Sequence, residues 1–170
     1  PLFSVIVLTY LQRHLLAECL DSIFKQDYPN IELVICDDYS ADFDCKEVET
    51  YIHNYITENG IDNISNVIVF KQEQNVGTTA NAQKGVELSN GVYFKLHAGD
   101  DMLYKHDTLT KIYREFSKPE VQIIAARSVA CMHDGKMTEN YFPSTEAMIN
   151  MKKADAYGQF ELMSSQAWGE

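Results

Sequence analysis

The feature that most constrains the fold is a regular alternation of short, β-branched apolar runs with segments of helical periodicity. Residues 3–8 are almost entirely apolar, as in a strand that is buried on both faces. Between Leu15 and Phe24, apolar side chains recur on one helical stripe. This alternation predicts an α/β fold with right-handed crossovers and a mostly parallel central sheet flanked by helices. The other predicted strands are 31–36, 67–70, 92–96 and 121–131, and the other predicted helices are 48–56, 78–88, 109–116, 147–151 and 159–163.

Two signals mark the ends of predicted helices. Asn59-Gly60 is expected to end the second helix, because glycine readily adopts the left-handed backbone that closes a helix. Asp107 is expected to cap the start of the fourth helix with its side chain.

Composition narrows the range of partners. The chain has 170 residues, 45% of them apolar, which is enough for one packed core. Its net charge of -11 argues against a nucleic-acid partner held through backbone phosphates. No apolar run approaches the roughly 20 residues that cross a bilayer, and the four cysteines match no zinc or CxxC pattern. We therefore expect a cytoplasmic piece of a longer protein, with buried free thiols and no transmembrane segment.

Polar residues follow four of the predicted strands. They are Thr9-Tyr10, Asp37-Asp38, the loop 74–77 and the run 98–101. Parallel sheets bind ligands beyond the carboxyl ends of their strands. The four segments are therefore expected to crowd one edge of the sheet and to form a ligand site there.

The adjacent carboxylates Asp100 and Asp101 are the sharpest chemical signal. Neighbouring carboxylates repel each other unless a cation or hydrogen-bond donors offset their charge. Oxygen ligands of this kind suit Mg²⁺ or Mn²⁺, which could bridge to a diphosphate. The alternative is a solvated turn that caps the next helix. His97 and His106 flank the pair, either as metal ligands or proton carriers or as structural and solvent-facing residues.

The acidic pair at 37–38 and the segment 75–79 can each be interpreted either as part of a ligand site or as a local structural feature. Asp37 and Asp38 could accept hydrogen bonds from a ribose or a base, or could form a turn or a cap. In the segment 75–79, Gly77 permits a positive φ, and free amides at the helix start would favour an anion. The alternative is an ordinary loop that begins a helix.

Taken in chain order, these segments resemble family-2 glycosyltransferases. The family's SI-x-Q-x-YPN-x-E-x-I passage is similar to residues 20–35. The resemblance covers residues 3–131 and implies a Rossmann-like GT-A sandwich. The other matching segments are residues 3–10 for the first strand and its Thr-Tyr end, 37–40 for the DD-x-S motif, 75–77 for the N-x-G motif, and 90–96 for the strand before the acidic motif.

The resemblance also implies roles for individual residues. Asp38 is expected to contact the base, Asp100 the ribose and Asp101 the metal ion. The other expected nucleotide-sugar contacts are Thr9, Tyr10, Asn75, Gly77 and Asn81. The implied reaction transfers a sugar from a nucleotide diphosphate sugar, with UDP favoured, to a hydroxyl of a glycan or lipid-linked acceptor. It inverts the anomeric centre and uses Mn²⁺ or Mg²⁺. The implied setting is cell-wall or capsular polysaccharide synthesis at the cytoplasmic face of the membrane.

Two residues depart from the family pattern. Ala98 stands where the family's D-x-D-D motif has its first carboxylate. Many relatives carry an Arg after the N-x-G motif, whereas this chain offers Asn81 or Lys84 as a substitute. The two departures bear on how the site holds the nucleotide and the metal.

The end of the chain lacks the family's catalytic-base passage. We therefore expect residues 1–135 to form the nucleotide-sugar-binding core and 136–170 to begin a truncated acceptor-side region. The base itself is expected beyond residue 170. Asp155 and Glu161 are available carboxylates, but no motif assigns either of them.

Two rival functions share parts of this pattern. A phospho-acceptor receiver domain is also doubly wound and binds Mg²⁺ with an acidic pair, but it needs a lone Asp after the third strand. Here that strand is followed by Gln72-Glu73-Gln74. The second rival is a nucleotide-binding fragment without turnover. Nucleotide binding with and without Mn²⁺ separates the three functions.

Overall fold

The computed structural model describes residues 1–124, 126–132, 136–155 and 158. The chain divides into two compact units, residues 1–122 and residues 123–170. The first unit contains four strands alternating with four helices. They are β1 (Phe3–Thr9), α1 (Leu16–Phe24), β2 (Ile31–Asp37), α2 (Cys45–Asn59), β3 (Ile64–Lys71), α3 (Thr78–Leu88), β4 (Tyr93–Ala98) and α4 (Thr108–Phe116).

The four strands form one parallel sheet in the order β3-β2-β1-β4. This confirms the predicted α/β fold with a parallel central sheet. Every residue of β2 is buried, because the sheet is covered on both faces. One face packs against α1, α2 and α4 in a large apolar cluster that includes Leu20, Ile52 and Leu109. The other face forms a smaller cluster around Ile6 and Val34, against which Leu88 of α3 packs.

Helix α3 lies unusually close to the sheet. A Cβ added to Gly85 would lie 2.4 Å from Cγ2 of Ile6, so only glycine allows this approach. The closeness brings the amino-terminal turn of α3 to the carboxyl ends of β1 and β2. The position of α3 therefore shapes one wall of the site described below.

Of the two predicted helix-end signals, one is confirmed and one is wrong. Gly60 closes α2 with φ of 61°, as expected for a left-handed C-cap. Asp107 does not cap α4 with its side chain. Its carboxylate instead pairs with the ammonium of Lys111 at 2.8 Å, one helical turn further on. The ion pair competes with capping for the same oxygens.

The second unit contains β5 (Ser128–Cys131), β6 (Met137–Phe142) and α5 (Thr145–Lys153). β5 and β6 pair antiparallel in a sheet of their own. The strand predicted at 121–131 is therefore too long, and its described residues before Ser128 are not in a strand. Helix α5 confirms the predicted helical segment at 147–151, whereas the helix predicted at 159–163 lies outside the described residues.

The boundary between the two units falls at residues 122 and 123, whereas the sequence predicts a functional boundary at residue 135. The assignment of the later region to the acceptor side stays a prediction. Among the residues that the structure describes, no helix is long and apolar enough to cross a membrane. The first unit contains all the predicted nucleotide and metal residues.

Candidate functional site

A cleft of about 560 Å³ opens at the carboxyl edge of the parallel sheet. Its walls are the ends of β1 and β4, Asp38 after β2, and the first turns of α3. Four of the predicted nucleotide contacts line it: Thr9, Tyr10, Asp38 and Asn81. The sheet topology thus brings together residues that are separated by up to 72 positions (81 − 9) in the sequence.

Asp38 organises one wall of the cleft. Its carboxylate is 4% exposed and accepts hydrogen bonds from the backbone N–H groups of Val76 and Gly77, at 2.8 and 2.9 Å. Its own N–H donates to the carbonyl of Thr9 at 2.9 Å. The amides of Val76 and Gly77 are therefore already occupied, and the prediction of an anion site concerns only the amides at the start of α3, from Thr78 onward.

Asp37 has a structural role. Its two oxygens accept hydrogen bonds from the N–H and the hydroxyl of Ser40, both at 2.6 Å. The side chain is fully buried and closes the turn after β2. Of the two interpretations of this acidic pair, the turn applies to Asp37, and a ligand role remains open only for Asp38.

Two amide side chains lie near the start of α3: one is exposed, in the loop before the helix, and the other is buried, within the helix. Asn75 is exposed, and Gly77 has φ of 83°, as its glycine predicts. Asn81 is 2% exposed, and it donates to the carbonyl of Cys36 at 2.8 Å while accepting from Gln72 at 3.2 Å. Its side chain therefore ties α3 to the ends of β2 and β3, and its contact with a nucleotide stays a prediction.

Lys84, the other suggested substitute for the missing Arg, is held on the outer side of α3. Its ammonium lies 5.4 Å from the centroid of the Phe70 ring and 3.8 Å from the carboxylate of Glu87. Neither contact involves the cleft. The structure gives no support to Lys84 as a replacement for that Arg.

The acidic pair follows β4 in a tight turn, in which the N–H of Asp101 donates to the carbonyl of Ala98 at 3.1 Å. Asp100 accepts a hydrogen bond from Gln12 at 2.7 Å. Burial and the neighbouring charge of Asp100 raise the pKa of Asp101, and the charge of Lys95 only partly opposes them. The ionised pair is thus held at an electrostatic cost that a cation would relieve.

Lys95, which is half-buried, and His97, which is buried, form a pair close to the acidic turn. The ammonium of Lys95 lies 3.1 Å from Nδ1 of His97 and donates to it. Burial and this charge lower the pKa of His97 to about 3, so the ring is neutral near pH 7. Burial also lowers the pKa of Lys95, which the charge of Asp101 opposes. His106 is exposed and contributes its backbone carbonyl to the N–H of Asp27.

Two buried polar atoms near the cleft have no hydrogen-bond partner among the described residues. They are Oγ1 of Thr9 and Nε2 of His97. Buried polar atoms are nearly always paired, so such atoms indicate a place for water or a ligand. Thr9 was predicted to contact the nucleotide, whereas the polar atom of His97 was not foreseen as a donor.

Sequence reasoning missed Gln12 and Lys95. Gln12 lines the cleft and orients Asp100, but the two residues are 88 positions apart and no motif links them. Lys95 did carry a signal, because a lysine inside an otherwise apolar strand needs a partner. Its position shows that the acidic turn has a fixed positive charge of its own nearby.

The comparisons with known proteins now decide the family. The family model described as "Glycosyl transferase family 2" matches residues 4–166. The chain belongs to glycosyltransferase family 2. It is 31% identical over 113 residues to the PGL/p-HBAD biosynthesis glycosyltransferase of Mycobacterium bovis, covering 66% of this chain and 40% of that relative. The chain thus spans less than half the length of that relative.

Solved structures show the same fold. The first unit is similar to S. aureus TarS 1–349 in complex with UDP, at 28% identity and a TM-score of 0.55, covering 68% of this chain and 32% of that one. The mannosyltransferase PcManGT from Pyrobaculum calidifontis, solved with GDP-Man and Mn²⁺, gives a TM-score of 0.58 at 23% identity, covering 76% and 35%. These similarities confirm the GT-A architecture, and the family membership leaves the receiver alternative without support.

No catalytic base can be assigned in the described part of the second unit. Asp155 accepts a hydrogen bond from the N–H of Gly158 at 2.9 Å, as a turn-forming side chain does. Glu161, the other candidate, lies outside the described residues. The site built by the first unit therefore consists of the cleft and the acidic turn beside it.

Proposed function

We propose that this chain is the donor-binding half of an inverting glycosyltransferase. It binds a nucleotide diphosphate sugar in the cleft at the carboxyl edge of its sheet. The full-length protein then transfers the sugar to a hydroxyl of a glycan or lipid-linked acceptor. The observation that carries the proposal is the cleft with the buried acceptor Asp38 in its wall and the turn of Asp100 and Asp101 beside it.

We propose uridine diphosphate as the donor nucleotide. S. aureus TarS 1–349, which is 28% identical to this chain, was solved with UDP, whereas the more distant PcManGT was solved with GDP-Man. The carboxylate of Asp38 would accept the N–H of such a base, and Thr9 and Tyr10 would contact the nucleotide from the end of β1. All three residues line the cleft.

A divalent cation fits the acidic turn. Among the described residues there is no group of three or more His, Cys, Asp or Glu side chains that could enclose a metal ion. Mg²⁺ and Mn²⁺ do not require one, because they are commonly held by one or two carboxylates together with substrate phosphates. Asp101, assisted by Asp100, would supply the protein ligand. When bound, the cation offsets negative charge on the departing diphosphate.

The chain's own residues prepare this turn. Gln12 donates to Asp100 and fixes its orientation, and Asp38 fixes the loop of Val76 and Gly77 on the opposite wall. A pre-set geometry lowers the entropy cost of binding the donor. The acceptor surface and the base that deprotonates the acceptor hydroxyl would come from residues beyond this chain, continuing the region that begins at 136.

The test compares this chain with a protein that extends past Glu170. Both are assayed with a panel of UDP-sugars and acceptors, and donor binding is measured in parallel. We expect equal donor affinities, with transfer by the chain slower by about 10²–10⁴-fold, the usual effect of a missing general base. Equal transfer rates would show that the base lies within these residues, and Asp155→Asn would then be the first variant to measure.

A further inference from the structure

Two residues other than glycine have left-handed backbone in the loops at the cleft edge. Leu11 follows β1 with φ of 57°, and Tyr39 follows β2 with φ of 73°. L-residues avoid this region because Cβ approaches the following carbonyl oxygen, and a bulky residue there is a genuine outlier. The two loops belong to neighbouring parallel strands, so the unfavourable backbone is concentrated at one place.

A set of hydrogen bonds enforces this backbone. The N–H of Leu11 donates to the hydroxyl of Ser40 at 2.7 Å. That hydroxyl in turn donates to Asp37, which also accepts the N–H of Ser40. Tyr39 is thus fixed between Asp37–Asp38 and Ser40, and it has no freedom to relax. Backbone of this kind persists only where the surroundings over-determine it, and it clusters at ligand sites.

The side chain of Tyr39 has no packing role that explains the choice of residue. It is 54% exposed, although both flanking residues, Asp38 and Ser40, are buried. Its only described ring contact is the ammonium of Lys71, which lies 6.0 Å from the ring centroid and donates to the carbonyl of Phe43 at 2.8 Å. Glycine would adopt the same φ without strain, so the ring itself is what this position provides.

The place of Tyr39 in the chain, between two cleft-edge residues, indicates its partner. Tyr39 is bonded to Asp38, whose carboxylate lines the cleft and offers acceptors for an N–H donor. Tyr10, 45% exposed, lies on the adjacent loop that the Leu11–Ser40 hydrogen bond joins to this one. An exposed aromatic side chain that is adjacent in sequence to a fixed acceptor suits a planar heterocycle that carries an N–H group, and bases stack on such rings.

We propose that Tyr39 stacks on the base of the donor nucleotide and contributes to its affinity. The proposal rests on the proposed function and adds a binding residue to that site. Tyr39 does not touch the diphosphate or the acidic turn in this account. Its contribution is therefore confined to ligands that carry a base.

The experiment measures the affinities of UDP and of inorganic pyrophosphate, each with Mn²⁺, by calorimetry for the chain and three variants. Tyr39→Leu keeps the bulk but removes the aromatic ring, and should weaken UDP about tenfold or more while leaving pyrophosphate unchanged. Tyr39→Phe should bind UDP like the parent. Leu11→Gly is the matched control, because it removes left-handed strain without removing a ring, and should also bind like the parent.

Thermal melting separates stacking from damage to the fold. Tyr39→Gly should melt no lower than the parent, because strain is removed, and should still lose UDP affinity. Equal UDP affinity of Tyr39→Leu and the parent would overturn the proposal, as would an equal loss for UDP and pyrophosphate. If the parent itself binds no UDP with Mn²⁺, the proposed function fails first, and stacking fails with it.

Discussion

Carboxylates are buried or crowded at both the amino and the carboxyl edge of the parallel sheet, but the two edges differ in how many hydrogen-bond donors these carboxylates receive. At the amino edge, Glu32 is fully buried and accepts four hydrogen bonds: from Ser4 at 2.6 Å, from the backbone and the side chain of Asn90 at 2.7 and 2.9 Å, and from Asn66 at 3.0 Å. At the carboxyl edge, Asp100 and Asp101 stand side by side, with Gln12 as the described donor to Asp100.

The pKa shifts follow the same division. Burial raises the pKa of Glu32, but the hydrogen bonds from Asn90, Ser4 and Asn66 outweigh it, and the pKa lies below its ordinary value. The pKa of Asp101 is raised by burial and by Asp100. Glu32, whose donors come from its own chain, stabilises the fold. We propose that Asp101, whose charge Lys95 opposes only in part, is the carboxylate that binds an outside cation.

The largest effect on the fold should come from Glu32→Ala. It leaves the donors of Ser4, Asn66 and Asn90 without their acceptor, and each unsatisfied buried group costs about 1–3 kcal/mol. We expect a loss of about 3 kcal/mol or more in the free energy of unfolding, measured by urea denaturation. Glu58→Ala, on the exposed face of α2, is the control and should change little. A Glu32 variant as stable as the parent would contradict the structural role of Glu32 at the amino edge.

Asp101→Asn should give the complementary result at the carboxyl edge. We expect UDP affinity in the presence of Mn²⁺ to fall by about 10- to 100-fold, while the unfolding free energy stays equal or rises. Asp62→Asn, an exposed residue before β3 at the amino edge, is the matched control for a lost surface charge. Calorimetry and thermal melting measure the two quantities. A destabilised Asp101 variant with unchanged affinity would assign this carboxylate to structure.

Asp37 and Asp38 allow the comparison to be made within one dipeptide. Asp37→Ala should destabilise the fold by about 2 kcal/mol, because it releases the N–H and hydroxyl of Ser40. Asp38→Ala should weaken UDP binding by about 1–3 kcal/mol, since it removes an acceptor in the cleft and frees the loop at Val76 and Gly77. If both variants fold and bind like the parent, the nucleotide site is elsewhere.

The pH dependence of stability should have opposite signs at the two edges. The pKa of Glu32 is lowered in the fold, so its contribution is present above its unfolded pKa and is lost as the pH falls through the folded pKa. The pKa of Asp101 is raised, so its contribution is full below its unfolded pKa and is lost as the pH rises through the folded pKa.

Urea denaturation across the acid range measures both effects. Glu32→Gln should flatten the loss of stability at acid pH, whereas Asp101→Asn should gain stability over the parent only once Asp101 is ionised. The same direction of change in both variants would contradict the assignment of the two edges. This effect is the smallest of the set, because each shift concerns a single group.

The core of the fold was predictable from sequence because strand and helix periodicities are local signals. The carboxyl-edge rule then placed Thr9 and Asp38 at the cleft without any coordinates. β6 was missed because its sequence, Met137–Phe142, has no alternation of apolar and polar residues, and its side chains are mostly exposed. Without β6 as its partner, the apolar run at 121–131 was read as one more strand of the main sheet.

The details of the site depend on contacts between distant residues. Nothing in the sequence indicates that Asp38 occupies the amides of Val76 and Gly77, or that Gln12 reaches Asp100. The left-handed backbone of Tyr39 was equally hidden, because glycine is the usual signal for that conformation and this position has none. Motifs therefore located the site, whereas the hydrogen-bond assignments within it needed the structure.

The central claim is that the carboxyl edge binds a nucleotide diphosphate through a cation held at Asp101. The most direct test titrates UDP into the chain by calorimetry, once with Mn²⁺ and once in excess chelator. Like charges at the acidic turn repel a diphosphate, so affinity should fall by about tenfold or more when the cation is removed. Equal affinity under the two conditions would contradict the account.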